Sequence, residues 1–198
     1  MGTPTAPVAT TTDPRLRYAR RLRHGRWLMT ICLLPVLACT AEEPVSPLAR
    51  AVFGDLAPRI AAHDRTDVLT ELGFSLSEDG ITLLDPACGR PMDTPEIRLE
   101  DLNGDGDPEL SVNGGNTCLA GGTGAVLLIF SRNQDSRYRP VLNVIALGYQ
   151  ITGERIDGWP DLLLGGPGFC HPVWRWNGAR YDFHHAQAEE PGGCDHRW

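Results

Sequence analysis

The chain of 198 residues is long enough for one domain with a hydrophobic core, and its formal net charge is −7. All 18 of its basic residues are Arg, and residues 39–198 keep 12 of them against 24 of the 25 acids, a net charge of −12. A surface this acidic repels nucleic acid and anionic lipid headgroups, and neither is expected as a ligand.

Residues 1–38 have the features of a secretory targeting segment. Six arginines between positions 15 and 26 precede an apolar stretch of twelve residues, 27–38. A membrane-spanning helix needs about 20 apolar residues, so this stretch is too short to span a bilayer. A basic region followed by a short apolar region is typical of a signal peptide. Residues 1–14, rich in Thr and Pro and without hydrophobic periodicity, are predicted to be disordered.

The end of this segment, Val36-Leu37-Ala38-Cys39, resembles a lipobox, the cleavage motif of bacterial lipoproteins. The resemblance implies that Cys39 is lipidated and that residues 39–45 form a tether, so that two or more acyl chains hold the protein on a membrane of the cell envelope. In lipoproteins of this kind, an Asp directly after the cysteine favours retention in the inner membrane. Thr40 stands at that position here, so the resemblance favours the periplasmic face of the outer membrane or the cell surface. The alternative is an ordinary signal peptide with a chance cysteine.

Short helices are predicted at the start of the mature chain. Ser46-Pro47 provides an N-cap and a first-turn proline. An amphipathic helix that breaks near Pro58 is indicated by apolar residues at every fourth position, Leu48, Val52, Leu56 and Ile60. A second helix is predicted over residues 66–72, where Gly73 ends it.

From residue 74 the hydrophobic period changes to two, which predicts strands. Residues 74–77 and 81–84 flank Asp79-Gly80 as a β-hairpin. Further strands are predicted at 96–100, 109–113, 125–131, 138–147, 161–164, 172–177 and 180–184. Residues 46–198 are therefore expected to form a single α+β domain, with short helices followed by an antiparallel β-sheet of hairpins.

An internal repeat lies within this domain. At an offset of 52 residues, Asp105-Gly106-Asp107-Pro108-Glu109-Leu110 matches Asp157-Gly158-Trp159-Pro160-Asp161-Leu162. Eight residues after each leucine comes a cysteine, Cys118 and Cys170. The repeat is assigned to residues 97–131 and 149–184.

The first copy resembles the loop of FG-GAP and VCBS repeats, the units of integrin-like β-propellers. The resemblance implies a calcium ion held by the side chains of Asp101, Asn103, Asp105 and Glu109 and by the backbone carbonyl of Asp107. Calcium takes six to eight hard oxygen ligands, which agrees with this donor set. An EF-hand would require a bidentate Glu at position 12, where Val112 stands. The alternative is a solvated acidic turn without metal.

The second copy departs from this pattern. Gly153 and Arg155 stand where the family has ligands, so its metal is expected to be lost and only the turn kept. Two copies are also too few for a closed propeller, which needs about four blades. The predicted fold is therefore an antiparallel sheet built on two FG-GAP/VCBS-like half repeats.

Four cysteines remain in the predicted mature domain: Cys88, Cys118, Cys170 and Cys194. An even number in an oxidising compartment favours two disulfides over a metal site. The equivalent positions of Cys118 and Cys170 in the two copies predict a bond between them, which leaves Cys88 to pair with Cys194. The alternative pairing joins Cys88 to Cys118.

No catalytic motif is apparent, since the sequence has no nucleophile elbow, phosphate loop or zinc-protease helix. His184 and His185 would point to opposite faces of a regular strand and could chelate one ion only at a bend. Trp174 and Trp176 share a strand face and could form an aromatic platform for a sugar or peptide, although such pairs also occur as core packing.

These features predict a non-enzymatic envelope lipoprotein with a calcium-stabilised β-hairpin domain. It is expected to bind the membrane through its N-terminal lipid and a protein or glycan partner through the domain. Two alternatives remain open. One is a calcium-dependent hydrolase or lyase acting on envelope polymers, and the other is a periplasmic inhibitor or immunity protein.

Overall fold

The computed structural model describes residues 44–195. The predicted targeting segment, the lipidation site Cys39 and most of the tether lie outside the described residues. Within residues 44–195, no helix has the length and apolar character needed to cross a membrane.

The N-terminal part of the domain is helical. Helix α1 spans Pro47–Phe53. Ser46 is its N-cap, and the Ser46 Oγ accepts a hydrogen bond from the Ala49 N–H at 3.1 Å. A 3₁₀ helix, Gly54–Arg59, follows α1 and contains Pro58, so the regular α-helix ends before the proline. Helix α2, Ala62–Leu72, begins four residues earlier than predicted and ends at Gly73, whose φ is 65°.

The rest of the domain consists of antiparallel strands. A hairpin of β1 and β2 comes first, and a short helix α3 with a 3₁₀ turn, Gly121–Thr123, connects β4 to β5. The bounds are β1 Ser75–Leu76, β2 Leu83–Leu84, β3 Glu96–Glu100, β4 Glu109–Gly114, α3 Thr117–Ala120, β5 Val126–Arg132, β6 Tyr138–Ile145, β7 Tyr149–Ile156, β8 Trp159–Leu164, β9 Cys170–Trp176 and β10 Tyr181–Ala188.

Two four-stranded sheets follow the chain order. Sheet 1 consists of β3-β4-β5-β6 and sheet 2 of β7-β8-β9-β10, each with neighbouring strands joined by direct connections. Neither sheet closes on itself. The predicted class of short helices followed by antiparallel sheet is confirmed.

Sheet 1 is the middle of three layers. On one face, Val112 and Phe130 pack with Val52 and Val68 of the helices. On the other face, Ile129 belongs to a second core cluster that it forms with residues of sheet 2. Strand β5 is therefore buried on both faces, which explains its nearly continuous apolar sequence, whereas β4 alternates Leu110 and Val112 with polar residues.

Ion pairs hold helix α2 against the hairpin of β5 and β6. Asp64 is fully buried and accepts hydrogen bonds from both terminal nitrogens of Arg132, at 3.1 and 2.7 Å. Asp67 pairs with Arg137, which donates through Nε and one terminal nitrogen. Because a buried carboxylate needs a partner charge, these contacts fix how the helical layer sits on sheet 1.

The four cysteines form two disulfides, but the predicted pairing is wrong. Cys88 bonds to Cys118, with their Cα atoms 6.6 Å apart, and Cys170 bonds to Cys194, with 4.9 Å between Cα atoms. The bonds Cys118–Cys170 and Cys88–Cys194 do not form, because each cysteine of the repeat lies beside a different segment. Cys118 is in α3 beside the loop after β2, whereas Cys170 pairs across to the end of β10.

Candidate metal centre

The predicted calcium loop, residues 101–108, connects β3 to β4. The carboxylate of Asp101 accepts hydrogen bonds from the N–H groups of Gly104, at 2.8 Å, and Gly106, at 3.0 Å. Asn103 Oδ1 accepts a hydrogen bond from the Asp105 N–H, and Asp105 Oδ1 accepts one from the Asp107 N–H, both at 2.8 Å. Side-chain oxygens of alternate residues thus lie around one turn of backbone, where they accept hydrogen bonds from its N–H groups.

The last predicted ligand, Glu109, is the first residue of β4 and is only 3% exposed. Its Oε2 accepts a hydrogen bond from the Leu102 N–H at 2.8 Å, and its Oε1 accepts one from Ser131 Oγ at 3.0 Å. Burial raises the pKa of Glu109 above its ordinary value, and the nearby charge of Asp105 raises it further. Glu109 is therefore a buried carboxyl group whose two hydrogen-bond donors are both neutral.

Each sheet contains the same kind of tyrosine-to-proline hydrogen bond beside its buried acid. The Tyr138 hydroxyl, at the start of β6, donates to the Pro108 carbonyl at 2.8 Å. The Tyr181 hydroxyl, at the start of β10, donates to the Pro160 carbonyl at 3.0 Å. Each proline directly precedes the acid that the repeat aligns, so the second copy holds its acid in an equivalent place.

The equivalent acid of sheet 2, Asp161, has a different partner. It is 2% exposed and accepts hydrogen bonds from the guanidinium of Arg175, with Nε at 2.8 and 3.1 Å from its two oxygens. Arg175 occupies the place on β9 that Ser131 occupies on β5, since the neighbouring pairs Leu162–Trp174 and Leu110–Phe130 correspond. Sheet 2 thus neutralises its buried acid with its own cation, and sheet 1 does not.

The second turn differs from the acidic loop as expected from its sequence. Strand β7 runs on to Ile156, and Asp157 and Gly158, with φ of 50° and 86°, make a two-residue hairpin turn. Arg155 lies in this strand and donates to the Leu102 carbonyl of the first loop at 2.8 Å. A Cβ on Gly158 would come within 2.6 Å of the Asn103 carbonyl oxygen, so the second turn packs directly on the first loop.

A different cluster has its ligand atoms closest together. Within residues 44–195, Asp85, Cys88 and Cys118 alone place three possible metal-binding atoms within 4.8 Å of one another, and the two cysteines are bonded to each other. The Asp85 carboxylate accepts from Asn116 Nδ2, at 2.9 Å, and from three backbone N–H groups, which lowers its pKa to about 2. This cluster therefore joins two loops.

Calcium binding by the acidic loop requires its side chains to move. Within the described part of the chain, no three of its acids bring their oxygens within 4.8 Å of one another. The donor chemistry nevertheless fits calcium, because four side chains and one carbonyl supply hard oxygen ligands and water can complete six to eight.

The structure separates the two tryptophans of the predicted platform. Trp176 stacks on Trp159, with ring centroids 4.2 Å apart, and Tyr181 packs edge-on against both rings. Trp174 also contacts the core between the sheets but lines a groove of about 360 Å³ between β6 and β10. Only Trp174 is thus placed to meet a ligand in this groove.

Comparisons of the chain with protein-family models, with characterised proteins and with solved structures gave no match. The resemblance to FG-GAP and VCBS repeats therefore depends on residues 101–110 and on the internal repeat.

Proposed function

We propose that the chain is a non-enzymatic lipoprotein of the bacterial envelope that carries one structural calcium ion and binds a protein or glycan partner. The observation that carries the calcium proposal is the contrast between the two buried acids. Asp161 is neutralised by Arg175, whereas Glu109 has the neutral Ser131 in the same place. A buried ionised group without a compensating charge is unfavourable. A bound cation would therefore stabilise the ionised form of Glu109.

Calcium would be held by Asp101, Asn103, Asp105 and Glu109 with the carbonyl of Asp107. Its double positive charge would offset the desolvation of Glu109 and the repulsion between the carboxylates of Asp101 and Asp105. Extracellular calcium modules have dissociation constants of about 10⁻⁴ to 10⁻³ M, which is the range expected here. The ion would also fix the loop against which the second turn packs.

The two sheets correspond to two FG-GAP/VCBS-like half repeats in this proposal. Three features support it: the acidic loop between the first two strands of sheet 1, the matched acid of sheet 2, and the tyrosine-to-proline hydrogen bond that both sheets contain. With two open sheets the units stack as a pair, and the helices cover the outer face of sheet 1.

The proposed anchor is the diacylglycerol on Cys39. The tether of residues 39–45 is seven residues long, which spans at most about 25 Å when extended. The domain would therefore stay close to the membrane surface, and its negative charge would keep it from lying flat on anionic headgroups.

The groove beside Trp174 is the proposed contact for the partner. An indole face, the apolar Pro140 and Val141, and the charged Arg180 and Asp182 line it. An aromatic ring next to polar groups suits both a sugar face and a peptide. This arrangement contains no nucleophile paired with a base, so binding is favoured over hydrolysis.

The test is a thermal-shift measurement with and without 10 mM calcium. With a dissociation constant of 10⁻⁴ to 10⁻³ M, this concentration should stabilise the fold by about 1.4–2.7 kcal/mol, or about 3–11 °C. The double variant Asp101→Ala/Asp105→Ala should lose this response. The double variant Asp93→Ala/Asp135→Ala, which removes two exposed acids elsewhere, should keep it. An equal response from both double variants would refute the calcium assignment.

A further inference from the structure

The adjacent histidines of β10 lie at an irregularity of the sheet. Phe183 pairs with Trp174 of β9, and the next registered pair is His185 with Val173. Between these two pairs the chain moves on by one residue in β9 and by two residues in β10, so His184 is the extra residue. This is the pattern of a β-bulge, in which two residues oppose one on the neighbouring strand.

The bulge brings the two imidazoles together. In a regular strand, neighbouring side chains point to opposite faces. Here the ring centroids of His184 and His185 are 4.8 Å apart, and the ring planes are almost perpendicular, at 82°. Both residues are exposed. The sequence expectation that these two side chains diverge is therefore wrong, and the bend that chelation needs is present.

A third histidine on β9 is engaged elsewhere. His171 Nε2 lies 3.3 Å from the Glu189 carboxylate, and its side chain is 16% exposed. His184 and His185 therefore supply two imidazole side chains as possible ligands.

We propose that His184 and His185 form a binding site for a divalent transition-metal ion of the zinc, nickel and copper class. Imidazole nitrogen is a preferred ligand of these ions, whereas calcium takes oxygen ligands. The two imidazoles bind in adjacent coordination positions, and water fills the others. The acidic loop and the histidine pair thus select different ions by ligand chemistry, so this site is independent of the calcium proposal.

The test uses copper(II) on the full chain in the presence of 10 mM calcium, which is present to occupy the loop. Isothermal titration measures the affinity of the first copper equivalent for the wild type, His184→Ala, His185→Ala and the control His63→Ala. Loss of one outer-shell partner already costs about 10–100-fold in metal affinity, so each bulge variant should weaken binding at least about tenfold. The control removes an exposed histidine on α2 and should bind as tightly as the wild type.

Electron paramagnetic resonance of the wild type at one equivalent of copper gives a second readout that needs no variant. Coupling to two imidazole nitrogens supports the proposal, and coupling to one nitrogen overturns it. In the titration, unchanged affinity in both bulge variants, or an equal loss in the His63→Ala control, overturns it as well. Thermal melting of each variant shows that the fold is retained.

Discussion

The contrast between Glu109 and Asp161 can be tested by neutralising each acid in turn. Glu109→Gln keeps the shape of the side chain and one oxygen for the Leu102 N–H but removes the charge. Asp161→Asn makes the same change at the equivalent position of sheet 2. The two substitutions should act in opposite directions, because Glu109 has neutral partners and Asp161 is paired with Arg175.

Without calcium, Glu109→Gln should stabilise the fold. The raised pKa means that the folded state disfavours ionised Glu109, so this charge reduces stability at neutral pH and its removal is favourable. Asp161→Asn should destabilise the fold by about 3 kcal/mol, the lower end of the range for breaking a buried ion pair. The lower end applies because the Arg175 side chain is 25% exposed and keeps Glu154 as a partner.

The assay is thermal unfolding of both variants in chelator and in 10 mM calcium. For a domain of this size 3 kcal/mol corresponds to about 6–12 °C, so Asp161→Asn should melt that much earlier but keep the full calcium response. Glu109→Gln should melt no earlier than the wild type in chelator and should lose most of the calcium response. Early melting of Glu109→Gln in chelator would refute the reasoning, because it would show that the charge is satisfied without an ion.

Three further predictions follow from single residues. Cys39→Ser should release the protein from membranes or leave the precursor uncut, as judged by fractionation, and radiolabelled palmitate incorporated into this variant would contradict the lipobox assignment. Gly158→Ala should destabilise the fold more than Gly178→Ala, because only at Gly158 would a Cβ meet a carbonyl, that of Asn103. Both glycines have positive φ, so each substitution also has the left-handed backbone cost of about 1–2 kcal/mol. Equal melting temperatures of the two variants would exclude the contact. Ionised Asp85 stabilises the fold above pH 3.8, and this contribution should disappear as the pH falls towards 2; acid titration of Asp85→Asn by circular dichroism should lack that part of the wild-type transition.

Most of the strand pattern could be predicted because it depends on local sequence. The turn at Asp79-Gly80 lies between two strands, as the sequence predicts. Strand β7 was missed. It is an edge strand, and its residues 153–156 are exposed. An irregularity between Ile151 and Arg155 also interrupts the alternation that predicts a strand. Gly153 and Arg155 were considered only as positions where metal ligands are missing.

The candidate site, like the fold, could be predicted from the sequence only in part. Residues 101–109 are adjacent in the chain, so the loop and its possible ligands could be recognised from the sequence. Which residue faces each buried acid could not, because Ser131 and Arg175 come from neighbouring strands whose register is set by packing. The disulfides were mispredicted for a related reason. Equivalence in the repeat does not tell which segment lies beside a given cysteine.

The central claim is that the first copy of the repeat holds one calcium ion and the second holds none. The most direct measurement is an anomalous difference map from crystals of the chain grown in calcium. One peak is expected, about 2.3–2.6 Å from the side-chain oxygens of Asp101, Asn103, Asp105 and Glu109 and from the Asp107 carbonyl. A map without a peak in this loop, or with a second peak at residues 153–161, would contradict it.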